Sequence, residues 1–140
     1  MVEAGYTSRT VEALTCLVEV QSLGGMIDDA LITIEQALRA NLQDVLAKPE
    51  LLTIRGDLRR KIGQADSAEA DFRAAIALAS RMSAKVLELR ATMSLARLLR
   101  DINRREKARA MLADIYNWFT EGFDTADLKD AKALLDELSS

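Results

Sequence analysis

The chain has 140 residues, 49% of them apolar and 29% charged, with 19 basic against 22 acidic side chains and a formal net charge of −3. Such a balance describes one globular domain, not a disordered tail, and lacks the broad basic field that a nucleic-acid backbone requires. With a single cysteine, Cys16, and no histidine, an intrachain disulfide is excluded and a zinc site has no ligand set, so no metal and no cofactor are expected.

No apolar run approaches the roughly 18–20 residues that span a bilayer, and Met1–Thr10 lacks the apolar core of a signal peptide. A cytoplasmic protein without membrane contact is therefore expected. Proline occurs once, at Pro49, and glycine six times, which favours helix nearly throughout. In chain order, apolar periodicity predicts helices over Thr10–Ser22, Ile27–Ala40, Glu50–Ile62, Asp66–Ser80, Ala84–Asp101, Arg105–Phe119 and Thr125–Leu138. Pro49 suits the first turn of the third helix, where its missing N–H costs little.

An internal repeat runs through these helices. Ala68, Phe72 and Ala75 lie on one helical face; Ala30, Ile34 and Ala37 repeat the triplet thirty-eight residues earlier, and Ala108, Leu112 and Ile115 forty residues later. Five residues before each leading alanine stands a turn candidate, Gly25, Gly63 or Asn103, residue types that tolerate a left-handed backbone at a helix end. Before each turn lies another amphipathic stretch: Leu14, Leu17, Val18 and Gln21; then Leu52, Arg55, Gly56 and Arg59; then Thr92, Leu95, Ala96 and Leu99. Each unit reads as helix, tight turn, helix.

This spacing resembles the tetratricopeptide (TPR) repeat, and the middle unit carries the match through Gly56, Gly63, Ala68, Phe72 and Ala75. The resemblance implies an all-α, right-handed superhelix of three helix pairs with a C-terminal capping helix. It forms one domain over residues 1–140, with units at about 10–44, 49–83 and 84–119 and a cap at about 125–138. Gly56, Ala30, Ala68 and Ala108 would let helices cross closely, and Phe72 would fill the gap to the next unit. Arg55 and Arg59 stand where the pattern prefers large apolar residues, Ser80 where proline often closes a unit, and the periods of 38 and 40 exceed the usual 34 or so. The segment from Tyr116 to Leu138, with the stretch from Leu51 to Leu112, also resembles the C-terminal tail of large bacterial proteins. Those proteins join a class III nucleotide cyclase or transcriptional-regulator domain to a P-loop ATPase module. That resemblance implies a C-terminal fragment of a longer signalling protein, its cyclase or ATPase domain lying outside this segment.

Gly24-Gly25 is not followed by the Gly-Lys-Ser/Thr of a phosphate loop and reads as a turn. Asp28-Asp29, Asp66 with Glu69, and Asp124 or Thr125 read as helix-start and capping groups rather than catalytic acids. Cys16 reads as an inert buried thiol. No catalytic residue is expected. In the TPR pattern the first helix of each unit lines a concave groove, here Thr15, Glu19 and Ser22, then Thr53, Asp57 and Arg60, then Arg90, Met93, Arg97 and Arg100. Arg60, Arg90, Arg97 and Arg100 make that groove a candidate site for an acidic peptide or helix, since guanidinium groups grip carboxylates in pairs. Trp118, Phe119 and Phe123 are expected to pin the last helix over the third unit. Leu14, Leu17, Val18 and Val20 have no preceding unit within this sequence to bury all of them; upstream repeats would cover them in a longer parent, and in an isolated fragment they predict a homodimer through the N-terminal helices. The function expected is protein–protein interaction without catalysis. The alternative is a sensor that binds a peptide or small ligand in the groove and controls an attached domain.

Overall fold

The computed structural model describes residues 25–40, 48–122 and 125–139. The regular elements among them are all helices: α1 (Ile27–Ala40), α2 (Lys48–Lys61), α3 (Ala65–Arg81), α4 (Lys85–Asp101), α5 (Arg105–Tyr116) and α6 (Ala126–Leu138). The helix expected over 10–22, with Cys16, Thr15, Glu19 and Ser22, lies outside the described residues, as does Phe123. The chain divides into two compact units, Met1–Asp71 and Phe72–Ser140, with the division inside α3.

The reversals between helices share one geometry. Gly63 has φ 83°, Ser83 φ 57° and Asn103 φ 65°. At each, two backbone amides bond back into the preceding helix. Gln64 N donates to Arg59 O (2.9 Å) and Gly63 N to Arg60 O (3.2 Å); Ala84 N to Ala79 O (2.9 Å) and Ser83 N to Ser80 O (3.1 Å); Arg104 N to Leu99 O (2.7 Å) and Asn103 N to Arg100 O (3.2 Å). These paired bonds are the Schellman closure, which satisfies the last carbonyls of a helix through one left-handed residue. The turn at Ser83 accounts for the missing proline after Ser80: the chain reverses through a left-handed serine. Gly25, at φ 78°, has the same backbone sign before α1.

In the first unit, Ala30, Ile34 and Ala37 of α1 form a core with Leu51 and Leu58 of α2, edged by Ile27, Leu31, Leu38 and Ile54. α2 starts two residues earlier than expected and takes Pro49, fully buried, into its first turn. α3 starts at Ala65, so Asp66 sits inside its first turn rather than at the cap position expected for it.

In the second unit α4 packs on α5, and α6 packs on both. α4 is buried nearly all round, through Leu89, Ala91, Thr92, Met93, Ser94, Leu95, Ala96, Leu98 and Leu99, the pattern of a helix covered on several sides. Ala108, Leu112 and Ile115 of α5 and Leu128, Ala131, Leu134 and Leu138 of α6 complete this core. Thr125 caps α6, its hydroxyl accepting from Leu128 N at 3.4 Å. Two exposed ion pairs mark the direction of α6. Arg90 bonds Asp127, and Arg100 bonds Glu137, each pair thirty-seven residues apart in sequence. Equal offsets at both ends mean that α4 and α6 run side by side in the same sense. α6 thus stands where the first helix of a further unit would stand. Its other face, with Lys129, Asp130, Lys132 and Asp136, is exposed.

The turn geometry can be tested at two positions. A Cβ added at Gly63 meets nothing within 4 Å, so Gly63→Ala carries only the conformational cost of a left-handed alanine and should destabilise by about 1–2 kcal/mol. Ser83→Gly removes the same cost and should stabilise by about 0.5–1 kcal/mol. Urea titrations of both variants would check this; equal and small effects would contradict it.

Candidate interaction site

The groove arginines have divergent fates. Arg90 grips Asp127 through Nε (3.1 Å) and Nη2 (3.0 Å). Arg100 donates to Glu137 Oε2 at 2.7 Å and reaches Asp101 at 3.4 Å. Both cations therefore fasten the terminal helix, a role not expected from their spacing. Met93 is buried in the core of its unit and does not line an open groove. Arg97 is half-buried and forms no hydrogen bond or ion pair among the described residues. Arg60 lies in the first unit, half-buried and engaged. Thr53, on the same helix, turns its hydroxyl onto Pro49 O at 2.9 Å.

The two arginines that depart from the repeat pattern are half-buried and turned onto one buried acid. Asp71, on α3, is only 4% exposed. Arg55 binds it with two nitrogens, Nη2 to Oδ1 at 2.8 Å and Nε to Oδ2 at 3.1 Å, and Arg59 Nη1 reaches Oδ2 at 3.0 Å. Arg55 Nη1 also donates to Glu35 of α1. Burial by itself would lower the Arg55 pKa; the hydrogen bonds and charges of Asp71 and Glu35 outweigh it, so the group lies above its ordinary value and stays charged. Forty residues on, the positions of Arg55, Arg59 and Asp71 are occupied by Leu95, Leu99 and Met111. One unit thus holds a salt-bridged trio where the next holds an apolar one. Sequence reasoning noticed the arginines and missed the acid, although Asp71 follows Ala68 by three on the buried face of α3.

The aromatic cluster also departs from expectation. α5 ends at Tyr116, three residues early. Its end tightens into short-range bonds, Trp118 N to Ile115 O (3.2 Å) and Phe119 N to Tyr116 O (3.1 Å), which take Trp118 off the face that buries Ala108, Leu112 and Ile115. Trp118 is 57% exposed; it is not the buried pin of α6. The ring is nonetheless held. Phe119 meets it edge-on with centroids 5.2 Å apart, and the Lys85 ammonium lies 5.3 Å from its centroid. Lys85 is itself fixed by Glu88 at 3.2 Å. The outcome is a large aromatic surface, ordered and presented to solvent. No group of three or more His, Cys, Asp or Glu among the described residues converges as a metal site, and no described helix is long and apolar enough to cross a membrane.

This geometry has solved counterparts. The crystal structure of PcrH from Pseudomonas aeruginosa superposes with a TM-score of 0.70 at 18% identity, covering 97% of this chain and 96% of that one. The Yersinia enterocolitica type III secretion translocator chaperone SycD gives 0.68 at 18% identity, over 96% and 86% of the two chains. The first TPR domain of Spaghetti (RPAP3), bound to the HSP90 peptide SRMEEVD, gives 0.63 at 16% identity, over 96% and 100%. The fold is TPR-like. No family model and no curated protein matches the chain.

The buried trio predicts opposite outcomes for partial and complete removal. Asp71→Ala leaves two guanidinium groups without their buried acid and should cost about 3 kcal/mol. The triple change Arg55→Leu, Arg59→Leu, Asp71→Met copies the neighbouring unit and should be neutral or stabilising by about 1–4 kcal/mol. Thermal unfolding of the two proteins would check this, and a triple variant weaker than Asp71→Ala would refute it. Trp118→Ala, at an exposed site, should cost less than about 1 kcal/mol, where a core tryptophan would cost about 3–5.

Proposed function

We propose that the chain is a protein-interaction module, working as a scaffold segment without catalysis of its own. The observation that carries this reading is Trp118, a large aromatic ring that is exposed yet held by Phe119 and Lys85. Tryptophan in such a setting gives much contact area at little entropic cost, which is the character of an interface anchor. The fold supports the same reading, since its structural neighbours include a translocator chaperone and a domain bound to a peptide. Of the groove cations, Arg97 keeps its donors for an acidic partner. The tail-like resemblance of Leu51–Leu112 and Tyr116–Leu138 supports service within a longer, cytoplasmic bacterial signalling protein, to a cyclase, ATPase or regulator domain elsewhere in that chain. The apolar residues Leu14, Leu17, Val18 and Val20 support self-association through the N-terminal segment that carries them.

Co-precipitation from lysate of the source cells tests the anchor. A partner recovered with the parent chain should be lost with Trp118→Ala while circular dichroism stays unchanged; the same proteins recovered in equal amounts would defeat the proposal. Light scattering at high concentration should read a dimer that Leu14→Asp with Leu17→Asp dissociates, and a strict monomer in the parent chain rules self-association out.

A further inference from the structure

The first unit carries a pocket that neither the groove reading nor the Trp118 surface uses. It is open to solvent, has a volume of about 350 Å³, and lies between α1, α2 and the turn that follows α2. Leu31 and Ile32 supply its apolar wall, and Gln36, Arg39, Arg59 and Gln64 its polar groups. Ile32 is 56% exposed, an apolar side chain left uncovered beside charged ones.

The electrostatics of the pocket are decided by what is already spent. Glu35 also lines it, but its carboxylate is engaged by Arg55. Arg59 uses Nη1 on Asp71, which leaves other N–H groups of its five-donor fork available. Arg39 is exposed and makes no ion pair or hydrogen bond among the described residues, and the same is true of the side-chain amides of Gln36 and Gln64. The pocket therefore offers a guanidinium without an acid, a second one half-committed, and two amides, all beside an apolar wall. That combination fits a carboxylate joined to an aliphatic group, because a guanidinium fork matches a carboxylate in geometry and charge. The volume suits one or two side chains. The open mouth suits a segment lying across it rather than an engulfed small molecule, which pockets usually bury by 70–90% or so.

We infer that this α1–α2 pocket docks an acidic side chain together with its neighbouring aliphatic side chain, carried on a segment of a partner protein. The inference rests on the reading of the chain as an interaction module and adds a second contact site, on a different face of α2 from Thr53, Asp57 and Arg60. Arg39 and Arg59 take the carboxylate, Gln36 and Gln64 bond the segment's backbone, and Leu31 and Ile32 cover the aliphatic group.

The test uses the whole 15N-labelled chain and two blocked tripeptides, acetyl-Leu-Glu-Leu-amide and acetyl-Leu-Gln-Leu-amide, followed by NMR. The glutamate peptide should shift the amides of Ile32, Gln36 and Gln64 and saturate in the millimolar range. The glutamine peptide and the Arg39→Gln variant should each bind about fivefold more weakly. Arg39 is exposed and unpaired among the described residues, so that variant keeps its fold, and an unchanged spectrum away from the pocket verifies this. No shifts up to about 10 mM peptide, or equal affinity for both peptides, overturns the inference. Binding of N-acetylleucine as tight as that of the glutamate peptide overturns the segment and assigns the pocket to small carboxylates. A failed Trp118 co-precipitation leaves this titration unaffected, so the two proposals fail separately.

Discussion

A helix can reverse direction within three residues only if one of them accepts a left-handed backbone, and this chain meets that demand at Gly63, Ser83 and Asn103, twenty residues apart each time. The spacing sets the dimensions of the repeat. α3 and α4 are 17 residues each, or about 25 Å of helix, and a three-residue turn completes each half-unit. Two such halves make the forty-residue period, longer than the usual repeat of about 34 because the helices themselves are longer. Fixed turns at fixed intervals bring Ala68 and Ala108 to the same place in successive hairpins, and both are fully buried, as is Ala30. A small side chain at that recurring position lets helix axes approach closely enough for Ile34, Phe72 and Leu112 to fill the space one turn on.

The buried acid is a different kind of constraint. Leucine, leucine and methionine occupy the corresponding positions of the next hairpin, so the architecture does not need charge there. A salt-bridged trio offers no great gain in stability over apolar packing, because the desolvation of three charged groups offsets most of their attraction. What it adds is geometric. Asp71 accepts from both Arg55 and Arg59, and Arg55 has a further donor directed at Glu35. α1, α2 and α3 are thereby tied in one register, and sliding any of them by a residue would strand a charge. An apolar core tolerates such slips far better.

Much of this was legible in the sequence, and the exceptions have physical reasons. The alanine triplets and the turns at Gly25, Gly63 and Asn103 stand out because small side chains and left-handed backbones are demanded by sterics, which act locally and recur with the repeat. The break between Ser80 and Ala84 was legible, but its left-handed residue was not, since serine has no special preference for positive φ; only the hydrogen bonds from Ala84 and Ser83 to Ala79 and Ser80 declare it. Asp71 escaped because a carboxylate on an apolar face reads as an interruption until its two arginines are seen on another helix. Trp118 was misplaced because a helical projection continues past Tyr116, whereas the backbone tightens there and carries the ring outward. The spacing of Arg90, Arg97 and Arg100 placed them on one helix, as the sequence periodicity allows. What spacing could not reveal was that α6 brings Asp127 and Glu137 to that helix.

That last point bears on how such a chain meets a partner. α6 covers apolar surface of α4 and α5 with Leu128, Ala131, Leu134 and Leu138. Apolar burial fixes closeness but not direction or register. Here Arg90 and Arg100 add charge-assisted hydrogen bonds, one at each end of α6, and in doing so both are engaged within their own unit. An acidic ligand approaching α4 would compete with Asp127 and Glu137, which are covalently part of the chain and so present at high effective concentration. Groups that the fold does not consume lie elsewhere, at the ring of Trp118 in one unit and at Arg39 with its two glutamines in the other. α6 thus decides which cations of α4 stay uncommitted: it engages Arg90 and Arg100, while Arg97 makes no hydrogen bond or ion pair among the described residues.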